Sequence, residues 1–505
     1  MSLNYNFIWL LCYLLVLVGL AGYGFHRLSI VYLYWKNRNN KPQPKSRFQE
    51  LPVVTVQLPM FNEKFVVDRL LESVAALDYP QDKLEIQILD DSTDDTTEQC
   101  YRKVEELKSR GFDAVCIHRT DRTGFKAGAL EAATKVAKGE FLLILDADFV
   151  PEPALLQKTI HFFTDENVGL VQTRWGHINR EYNLLTRIQG MYLDGHFAME
   201  QTARNRSGRF FTFNGTAGIW RKCVIGDAGG WSHDTLTEDM DLSYRVQLKG
   251  WRFIYLNDVV TPAELPVDMD GFKSQQHRWT KGSIQVCQKI LLDIWRSNAP
   301  LKAKVEATTH LTCNYSYLLL ALLCFLVYPI CTQRIPENET VFMWFVNVAL
   351  FFMTSVAVCI FYMSAQIVVR PKSWWKELPY LPLLLTLSVG MAVNNAKAVL
   401  EAIFGHQSAF VRTPKYGVDR KEDRRHVSQL KRNGYRAIKS VVIPVLEIAC
   451  GTFFLNLIII MIRQGHYLSP ILMIPFLGFY YTGFCSLGRM ISNLLPAKQT
   501  AKAKN

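Results

Sequence analysis

Two pairs of acidic residues follow apolar runs that predict β-strands. Asp146 and Asp148 come directly after the run 141–145, and Asp90 and Asp91 follow a second such run, 85–89. Because ligands collect at the carboxyl ends of strands in a mostly parallel sheet, both pairs lie where a ligand would bind. Two carboxylates one residue apart can approach one hard cation, and Mg²⁺ or Mn²⁺ bridged to a diphosphate suits such oxygen ligands. The alternative for Asp146 and Asp148 is a solvated turn that carries two acids.

The other end of such a ligand, a nucleoside, is expected beside the second acidic pair. The run 53–58 predicts a neighbouring strand, after which Glu63 would join Asp90 and Asp91. A helix-capping role for Asp91 is compatible with this assignment. Lys126 stands at a glycine-punctuated entry to a helix, where an ammonium and a helix start both stabilise phosphate oxygens. The alternative is a solvated lysine.

A third acidic motif, Thr-Glu-Asp at 237–239, precedes a predicted helix at 240–249. Asp239 could take the proton from an acceptor hydroxyl as that hydroxyl attacks the anomeric carbon of a sugar. A general base of this kind contributes about a hundredfold to ten-thousandfold to a rate. Glu238 competes for the role, and a simple helix cap formed by Thr237 remains the alternative without chemistry.

The fourth motif is Gln-Gln-His-Arg-Trp at 275–279, and it opens an amphipathic segment. The apolar residues fall on one face, with Lys281 and other polar residues between them, which predicts a helix lying on a membrane surface. Arg278 suits a departing pyrophosphate, because its planar fork pairs with phosphate through two hydrogen bonds. Trp279 offers a flat face to a sugar ring. Interfacial anchoring of both side chains is the alternative.

The composition indicates one soluble domain together with a membrane part. The chain has 505 residues, of which 49% are hydrophobic, and its mean hydropathy of +0.04 is too apolar for a wholly soluble enzyme of this size. The net charge of +12 arises largely beside hydrophobic segments, which favours a membrane surface over nucleic acid as the partner. The 11 cysteines show no metal-binding spacing and suggest a reducing compartment.

Six hydrophobic segments are candidates for membrane spans. Residues 7–25 predict an uncleaved signal anchor with its N-terminus outside. The remaining candidates are 311–331, 341–369, 380–400, 441–462 and 471–494. The basic loop 401–440 and the basic C-terminal tail both belong in the cytoplasm, which requires that one segment fails to cross. Segment 380–400, with Pro382 near its start and Lys397 near its end, is predicted to be interfacial or broken, leaving five spans.

The ordered motifs resemble those of family 2 inverting glycosyltransferases of the GT-A fold. The resemblance covers residues from about 50 to 285 and is strongest to the cellulose-synthase-like group, especially plant glucomannan mannosyltransferases. The stretches that carry it are 213–221, 228–231, 237–242, 264–266 and 275–279.

The resemblance implies a role for each matching residue. Asp148 would be the principal metal ligand, Asp239 the base, and Arg278 with Trp279 the pyrophosphate and acceptor pair. The acceptor's terminal sugar would be lined by Phe213, Asn214, Gly215 and Thr216, and Gln275 would also contact the acceptor. The chain departs from the plant enzymes after Trp279, where it has Thr-Lys-Gly-Ser in place of a Cys-Gly or Ser-Gly step, so the sugar donor stays open.

The basic loop also contains a stretch similar to the FxVTxK gating loop of bacterial cellulose synthases. Phe410, Thr413 and Lys415 match that pattern, and Arg412 stands where valine is usual. In that family the loop covers the nucleotide-loaded site. A plain solvated basic loop is the alternative.

These observations predict an α/β GT-A-type glycosyltransferase domain inserted between an N-terminal transmembrane helix and a C-terminal helical transmembrane region. The expected divisions are a signal anchor and juxtamembrane segment at 1–47, the cytoplasmic catalytic domain at 48–271, an amphipathic interface helix at 272–300, and transmembrane helices at 301–505. The active site is expected to face the cytoplasm, at the plasma (inner) membrane or, in a eukaryote, at the Golgi membrane.

The expected activity is transfer of a hexose from UDP-glucose or GDP-mannose to a growing linear β-1,4-glycan, with translocation of the product. Mg²⁺ or Mn²⁺ is the expected cofactor, the bilayer a partner, and accessory subunits are possible partners. A non-processive glycolipid synthase with a lipid acceptor, such as ceramide or diacylglycerol, is the alternative within the enzyme class. A transporter or channel with a regulatory soluble domain is the alternative outside it.

Overall fold

A computed structural model describes residues 5–332, 352–407, 413–418, 441–464 and 470–494. Several sequence predictions therefore lie outside the described residues. These are Phe410 and Arg412 of the gating-like stretch, most of the basic loop 401–440, the part 341–351 of one predicted span, and the C-terminal tail.

Among the described residues, one seven-stranded mixed sheet organises the part of the chain between residues 54 and 263. Its strands are β1 (Val54–Met60), β2 (Leu84–Asp90), β3 (Asp113–His118), β4 (Phe141–Ile144), β5 (Val168–His177), β6 (Gly218–Arg221) and β7 (Arg252–Ala263). Their order across the sheet is β3-β2-β1-β4-β6-β5-β7. Only β6 runs antiparallel to its neighbours β4 and β5, so the mostly parallel sheet predicted from the sequence is confirmed.

Helices cover the sheet and continue into an apolar C-terminal part. They are α1 (Tyr5–Asn37), α2 (Val67–Ala75), α3 (Thr96–Ser109), α4 (Phe125–Val136), α5 (Leu155–Thr159), α6 (Leu184–Asp194), α7 (Thr202–Arg206), α8 (Lys222–Asp227), α9 (Glu238–Leu248), α10 (Met269–Arg296), α11 (Leu301–Thr312), α12 (Tyr315–Thr332), α13 (Ala357–Val369), α14 (Leu381–Gly390), α15 (Ala392–Ile403), α16 (Val442–Arg463) and α17 (Pro470–Leu494). Short 3₁₀ turns occupy Gln81–Lys83, Ile160–Thr164 and Trp374–Tyr380, and π-helical turns occupy Gly195–Gln201 and Phe352–Val356.

The central strands are buried on both faces, which explains their apolar, β-branched sequences. Every residue of β2 and β4 is buried, and α2 packs its apolar stripe against the sheet. Strands β2, β1 and β4 are neighbours and parallel, so their carboxyl ends lie side by side. The acidic residues that follow these strands are thereby brought to one edge of the sheet.

Two described helices are long and apolar enough to cross a membrane. They comprise Ile8–Asn37 and Val442–Arg463. Two further candidates are helix pairs, α11 with α12 and α14 with α15, which bend by 52° and 41°. The predicted total of five spans stays a prediction.

The bend in segment 380–400 lies at a glycine rather than at its prolines. Pro382 sits in the first turn of α14, where proline is tolerated, and the break follows Gly390. A Cβ atom on Gly390 would collide with the backbone of Gly478 in α17, so the two helices approach as closely as their backbones allow. The helix is broken here, and whether the segment crosses the bilayer stays a prediction.

The interface segment forms part of helix α10, and its predicted solvated polar face is wrong at Lys281. Its apolar residues Val286, Ile290 and Ile294 are buried, as their spacing predicted. Lys281, however, is fully buried rather than solvated, and its Nζ donates to Oε2 of Glu401 at 3.1 Å. The ammonium tolerates burial because this carboxylate in α15 pairs with it.

Candidate active site

The predicted site residues converge on one cavity at the carboxyl edge of the sheet. This sheet-end cavity has a volume of about 190 Å³. It is lined by most of the predicted residues: Glu63, Asp91, Lys126, Asp146, Asp148, Asn214, Gly215, Asp239, Gln275, Arg278, Trp279, Thr413 and Lys415. Residues separated by more than 300 positions therefore share one pocket.

The two acids after β2 take different positions. Asp90 is completely buried, and its carboxylate accepts hydrogen bonds from Ser92 N at 3.1 Å and Thr97 Oγ1 at 2.8 Å. His118 Nδ1 lies 2.7 Å from the same carboxylate. Asp91 instead lines the cavity. Asp90 thus organises the loop behind the cavity wall, and its predicted contact with nucleotide stays a prediction.

An arginine outside the predicted set holds Asp91. Arg119 donates from Nε and Nη2 to the two carboxylate oxygens at 2.8 and 2.6 Å. This two-point geometry fixes the plane of the carboxylate. Arg119 follows β3, and a strand-end position is the only sequence signal that could have found it.

Lys126 connects two parts of the cavity wall. Its Nζ pairs with Asp146 and donates to the carbonyl oxygen of Gly215 at 3.0 Å. Burial by itself lowers the pKa of Lys126, but Asp146, Glu238 and Asp239 outweigh that effect and raise it. The ammonium therefore stays charged and balances an acidic pocket. Asp146 is further fixed because its backbone N–H donates to Thr216 Oγ1 at 2.8 Å.

Asp148 meets the gating-like stretch. Lys415 Nζ donates to Asp148 Oδ2 at 2.5 Å, and the backbone N–H of Glu264 donates to the same oxygen at 3.2 Å. Burial tends to lower the pKa of Lys415, yet Asp148 and Glu264 raise it overall. Thr413 and Lys415, in the described part 413–418 of the predicted loop, thus line the sheet-end cavity beside the acidic pair. That the loop covers a nucleotide-loaded site stays a prediction.

Glu264 holds this stretch in place. Its carboxylate accepts three consecutive backbone hydrogen bonds, from Tyr416 at 2.9 Å, Gly417 at 3.0 Å and Val418 at 3.2 Å. Three N–H groups on one buried carboxylate form a strong, oriented contact. Glu264 belongs to a motif that carried the family resemblance, but sequence reasoning gave it no role.

The chemistry of Asp146 and Asp148 fits a divalent cation. Both are oxygen ligands at one strand end, and each carboxylate is paired with an ammonium group in the structure, so both positions attract positive charge. Within the described ranges, no group of three or more histidine, cysteine or carboxylate residues could hold a metal ion. The pair would therefore supply part of a coordination shell that diphosphate oxygens and water complete.

Asp239 and Glu238 form an acidic wall opposite the strand ends. Thr237 precedes α9 without a side-chain capping bond, whereas Asp239 Oδ1 accepts from the Met240 N–H at 2.8 Å. Burial, followed by the neighbouring charge of Glu238, raises the pKa of Asp239 to about 7. Burial also raises the pKa of Glu238. A carboxyl group with such a pKa can accept a proton near neutral pH.

Gly215 brings the acceptor motif next to Asp239. It adopts φ of 80°, and a Cβ atom there would lie 3.1 Å from Asp239 Oδ2. Phe213, by contrast, is buried and packs edge-to-face on Trp220. Of the four residues predicted to line the acceptor's terminal sugar, Asn214 and Gly215 line the sheet-end cavity. Thr216 instead accepts the hydrogen bond from the backbone N–H of Asp146.

Aromatic side chains form part of the wall of the sheet-end cavity. Trp279 and Trp175 both pack against the buried cluster of Leu193, Phe197 and Leu265. Trp175 stacks on Phe197 with ring centroids 4.5 Å apart. Trp175, which sequence reasoning missed, lines the cavity as Trp279 does. Flat rings in the wall of a polar pocket suit the faces of sugar rings.

Backbone strain is concentrated around the cavity. The non-glycine residues with positive φ in the described ranges are Asn62, Phe125 and Ala217, at 55°, 47° and 57°. They adjoin Glu63, Lys126 and Thr216 respectively. Such conformations cost about 1–3 kcal/mol each and cluster at functional sites.

Two further cavities continue from the sheet-end cavity toward the apolar helices. A middle cavity of about 160 Å³ shares Asn214, Asp239 and Trp279 with it. A membrane-helix cavity of about 430 Å³ shares Arg27, Glu200 and Asn314 with the middle one. Side chains common to neighbouring cavities thus link the strand-end carboxylates with a space among α1, α12 and α13.

Comparison with known proteins shows which family residues 52–282 resemble. Residues 52–282 match the family described as glycosyltransferase like family 2. Glucomannan 4-beta-mannosyltransferase 2 of Arabidopsis thaliana is 41% identical over 286 residues, covering 54% of this chain and 53% of that protein. Glucomannan 4-beta-mannosyltransferase 1 of Oryza sativa subsp. japonica is 40% identical over 277 residues, with the same coverage. The chain spans about half the length of these curated relatives.

A solved structure confirms the fold. The mannosyltransferase PcManGT from Pyrobaculum calidifontis, in complex with GDP-Man and Mn²⁺, is similar with a TM-score of 0.55 and 19% identity. The match covers 78% of this chain and 100% of that chain. The predicted GT-A-like α/β fold is therefore confirmed, as is the resemblance to glycosyltransferase family 2.

Proposed function

We propose that this chain, in which residues 52–282 form a glycosyltransferase family 2 domain, is a membrane-embedded inverting β-glycosyltransferase. It transfers a hexose from a nucleotide diphosphate sugar to the end of a growing linear β-1,4-glycan, a glucan or a mannan. The observation that carries the proposal is the position of Asp239. This acid lines both the sheet-end cavity, with its phosphate- and metal-binding groups, and the middle cavity that leads toward the apolar helices.

The donor occupies the sheet-end cavity. Asp146 and Asp148 would hold Mg²⁺ or Mn²⁺, which when bound neutralises the diphosphate and stabilises it as a leaving group. Lys126 and Arg278 line the same cavity and pair with phosphate oxygens as negative charge builds up on them. Glu63 and Asp91 face the nucleoside end.

Asp239 acts as the general base. It accepts the proton of the acceptor hydroxyl while that hydroxyl attacks the anomeric carbon from the face opposite the diphosphate. A single displacement of this kind inverts an α-linked donor into a β-linked product. Holding donor and acceptor in line contributes a large part of the rate. Gly215 keeps the space beside Asp239 open, because any side chain there would crowd the carboxylate.

The donor sugar is mannose or glucose. Two relatives, 41% and 40% identical over 286 and 277 residues, are glucomannan 4-beta-mannosyltransferases. This similarity supports GDP-mannose as a donor and a β-1,4 linkage. UDP-glucose is the other candidate. The active site faces the cytoplasm, at the plasma membrane or, in a eukaryotic cell, at the Golgi membrane, because the basic loop 401–440 belongs on that side.

The product enters the membrane through the linked cavities. The middle cavity carries Trp279 and Phe197 on its wall, and it meets the membrane-helix cavity at Arg27 and Tyr192. A glycan held by its terminal sugar beside Asp239 can therefore extend along this path as it grows. Translocation is coupled to synthesis because each addition lengthens the chain from the active-site end.

A second candidate is a glycolipid synthase that adds one hexose to a lipid such as ceramide or diacylglycerol. One observation favours it: the membrane-helix cavity is bordered by Leu17, Leu20, Leu320, Leu323 and Val327. Such a wall also suits an acyl chain.

The fate of labelled sugar separates these functions. Purified protein is incubated with Mn²⁺ and either radiolabelled UDP-glucose or radiolabelled GDP-mannose, with Asp239→Asn as the inactive control. The proposal expects label from one donor in alcohol-insoluble glycan. Label confined to solvent-extractable lipid supports the glycolipid synthase instead, and no transfer from either donor contradicts both candidates.

A further inference from the structure

A π-helical turn packs between strands β5 and β7 of the sheet and the apolar helices α1 and α13. It comprises Gly195–Gln201 and joins α6 to α7 without a break. Residues five apart in an α-helix point about 140° away from each other. In a π-helix, i→i+5 bonding brings such residues onto nearly the same side. His196 and Gln201 are five apart, so this turn lets both side chains face one target.

That target is the side-chain amide of Asn214. Gln201 Nε2 donates to Asn214 Oδ1 at 2.6 Å, and Asn214 Nδ2 lies 3.1 Å from His196 Nε2. Gln201 Nε2 also donates to the Thr212 carbonyl at 2.7 Å, which fixes it as the donor. Only one orientation of the Asn214 amide satisfies both neighbours.

The protonation of His196 agrees with that orientation. Burial, then the charges of Arg204 and Arg27, lower the pKa of His196 to about 3, so the ring is neutral at physiological pH. Its Nδ1 lies 2.9 Å from Glu200 Oε2 and must donate, because a carboxylate only accepts. Nε2 is then the acceptor for Asn214.

Glu200 is itself fixed by positive charge. It pairs with Arg27 of α1 and with Arg204, whose Nη2 lies 3.4 Å away. The four side chains from Arg27 through Glu200 and His196 to Asn214 therefore form one connected chain of polar contacts. It links an apolar helix to the wall of the active site.

Asn214 retains half of its hydrogen-bonding capacity. A primary amide has two N–H groups and two acceptor lone pairs, and the two bonds above use one of each. Asn214 lines both the sheet-end and the middle cavity, close to Asp239. The remaining donor and acceptor together match a hydroxyl group, which also donates and accepts.

We propose that His196 and Gln201 are positioning residues that orient the Asn214 amide to bind a hydroxyl of the acceptor's terminal sugar. The inference rests on the proposed function, because it assumes a glycan acceptor. It assigns a role to the π-helical turn: the turn brings two side chains onto one amide. A regular α-helix would direct one of them elsewhere.

The test measures acceptor binding separately from donor binding. Purified full-length protein is titrated in a calorimeter with cellotetraose and with mannotetraose, and in parallel with UDP and GDP in the presence of Mn²⁺. The variants are His196→Phe, which keeps the ring but removes its nitrogens, and Gln201→Glu, which keeps the shape but removes the donor. His161→Phe, at a buried histidine that accepts only from the Phe48 N–H, is the matched control.

Each positioning variant should bind the preferred tetrasaccharide roughly fivefold more weakly, the loss expected for one hydrogen bond. Nucleotide affinity should be unchanged. His196→Gln should recover part of the binding, since its carbonyl can accept from Asn214. In transfer assays, each positioning variant should raise the KM for the acceptor and leave kcat unchanged.

Unchanged tetrasaccharide binding in both variants would overturn the inference, as would a proportional loss of nucleotide affinity. Failure of the wild-type protein to bind either tetrasaccharide would overturn it as well. The proposed function fails separately. If the wild type binds a tetrasaccharide in a His196-dependent manner but transfers no hexose, the positioning role stands and the transferase proposal does not.

Discussion

Asp239 lines both the sheet-end cavity proposed for the donor and the middle cavity proposed for the acceptor. Its replacement by asparagine keeps the size of the side chain and removes the proton acceptor. We expect Asp239→Asn to retain nucleotide affinity and to lose transfer by about a hundredfold to ten-thousandfold. The comparison is between calorimetry with UDP or GDP and incorporation of labelled hexose. Transfer within tenfold of wild type would show that Asp239 is not the base.

The raised pKa of Asp239 predicts the pH dependence of the reaction. As the proposed base, Asp239 works only when it is deprotonated, so kcat/KM should fall as the pH drops through the pKa of about 7, approaching tenfold per pH unit. Burial is the first cause of that pKa and the charge of Glu238 is the second. Glu238→Gln removes this charge and should move the midpoint of the profile to lower pH. An unchanged midpoint in Glu238→Gln would show that the charge of Glu238 does not raise the pKa of Asp239. A flat wild-type profile between pH 5 and 8 would contradict the role of Asp239 as the base.

Asp148 should control the response to metal. In the wild type, Mn²⁺ is expected to tighten binding of a nucleotide diphosphate, because the acidic pair and the diphosphate share the cation. Asp148→Ala should abolish that tightening. Calorimetry with and without Mn²⁺ measures it, and Asp82→Ala, at an exposed acid in the turn before β2, is the control. An equal metal effect in Asp148→Ala and wild type would refute this assignment.

Local sequence patterns found the strand-end acids, but they could not reveal distant pairings. Asp148 and Lys415 are 267 residues apart, and nothing in either neighbourhood specifies the contact. Lys281 shows that a periodic pattern can also predict the wrong burial for a side chain. Its position in a helical repeat predicts a solvated face, yet Glu401, 120 residues away, pairs with it inside the protein. Predictions from periodicity fail wherever a partner from another helix neutralises a charge.

At the scale of elements, the stretch 413–418 is held beside the cavity by Glu264. Charge-assisted hydrogen bonds to backbone N–H groups are worth about 1.5–3 kcal/mol each. Glu264→Gln should weaken all three and release the stretch. We expect faster trypsin cleavage after Lys415, whose side chain is 13% exposed in the structure.

Two comparisons make this prediction specific. Glu152→Gln carries the same substitution on a surface ion pair with Lys158 and should leave the cleavage rate unchanged. A cleavage rate in Glu264→Gln equal to that of the wild type would mean that other contacts hold the stretch 413–418 in place.

The strands and the π-helical turn differ in how far sequence could predict them. Buried parallel strands require apolar, β-branched residues along their whole length, so β1, β2 and β4 were found close to their observed bounds. The turn at Gly195–Gln201 carries no comparable signal, because its residues suit an α-helix equally well. It is stabilised by tertiary partners such as Asn214 and Arg27, which no local pattern contains.

At the scale of the whole molecule, three linked cavities run from the strand ends to the apolar helices. Asn314 lies at the bend between α11 and α12 and lines both the middle and the membrane-helix cavity. A growing glycan on this path must pass it. A lipid acceptor would instead enter from the membrane side and leave after one addition.

The length of the product tests the central claim most directly. Labelled product made by the wild type and by Asn314→Trp is separated by gel filtration, and the fractions are digested with endo-β-1,4-mannanase or endo-β-1,4-glucanase. We predict a polymer from the wild type that one of these enzymes degrades. Asn314→Trp should give shorter chains at unchanged nucleotide affinity, because the larger side chain narrows the path. A wild-type product that consists only of a lipid-linked monosaccharide would contradict the account.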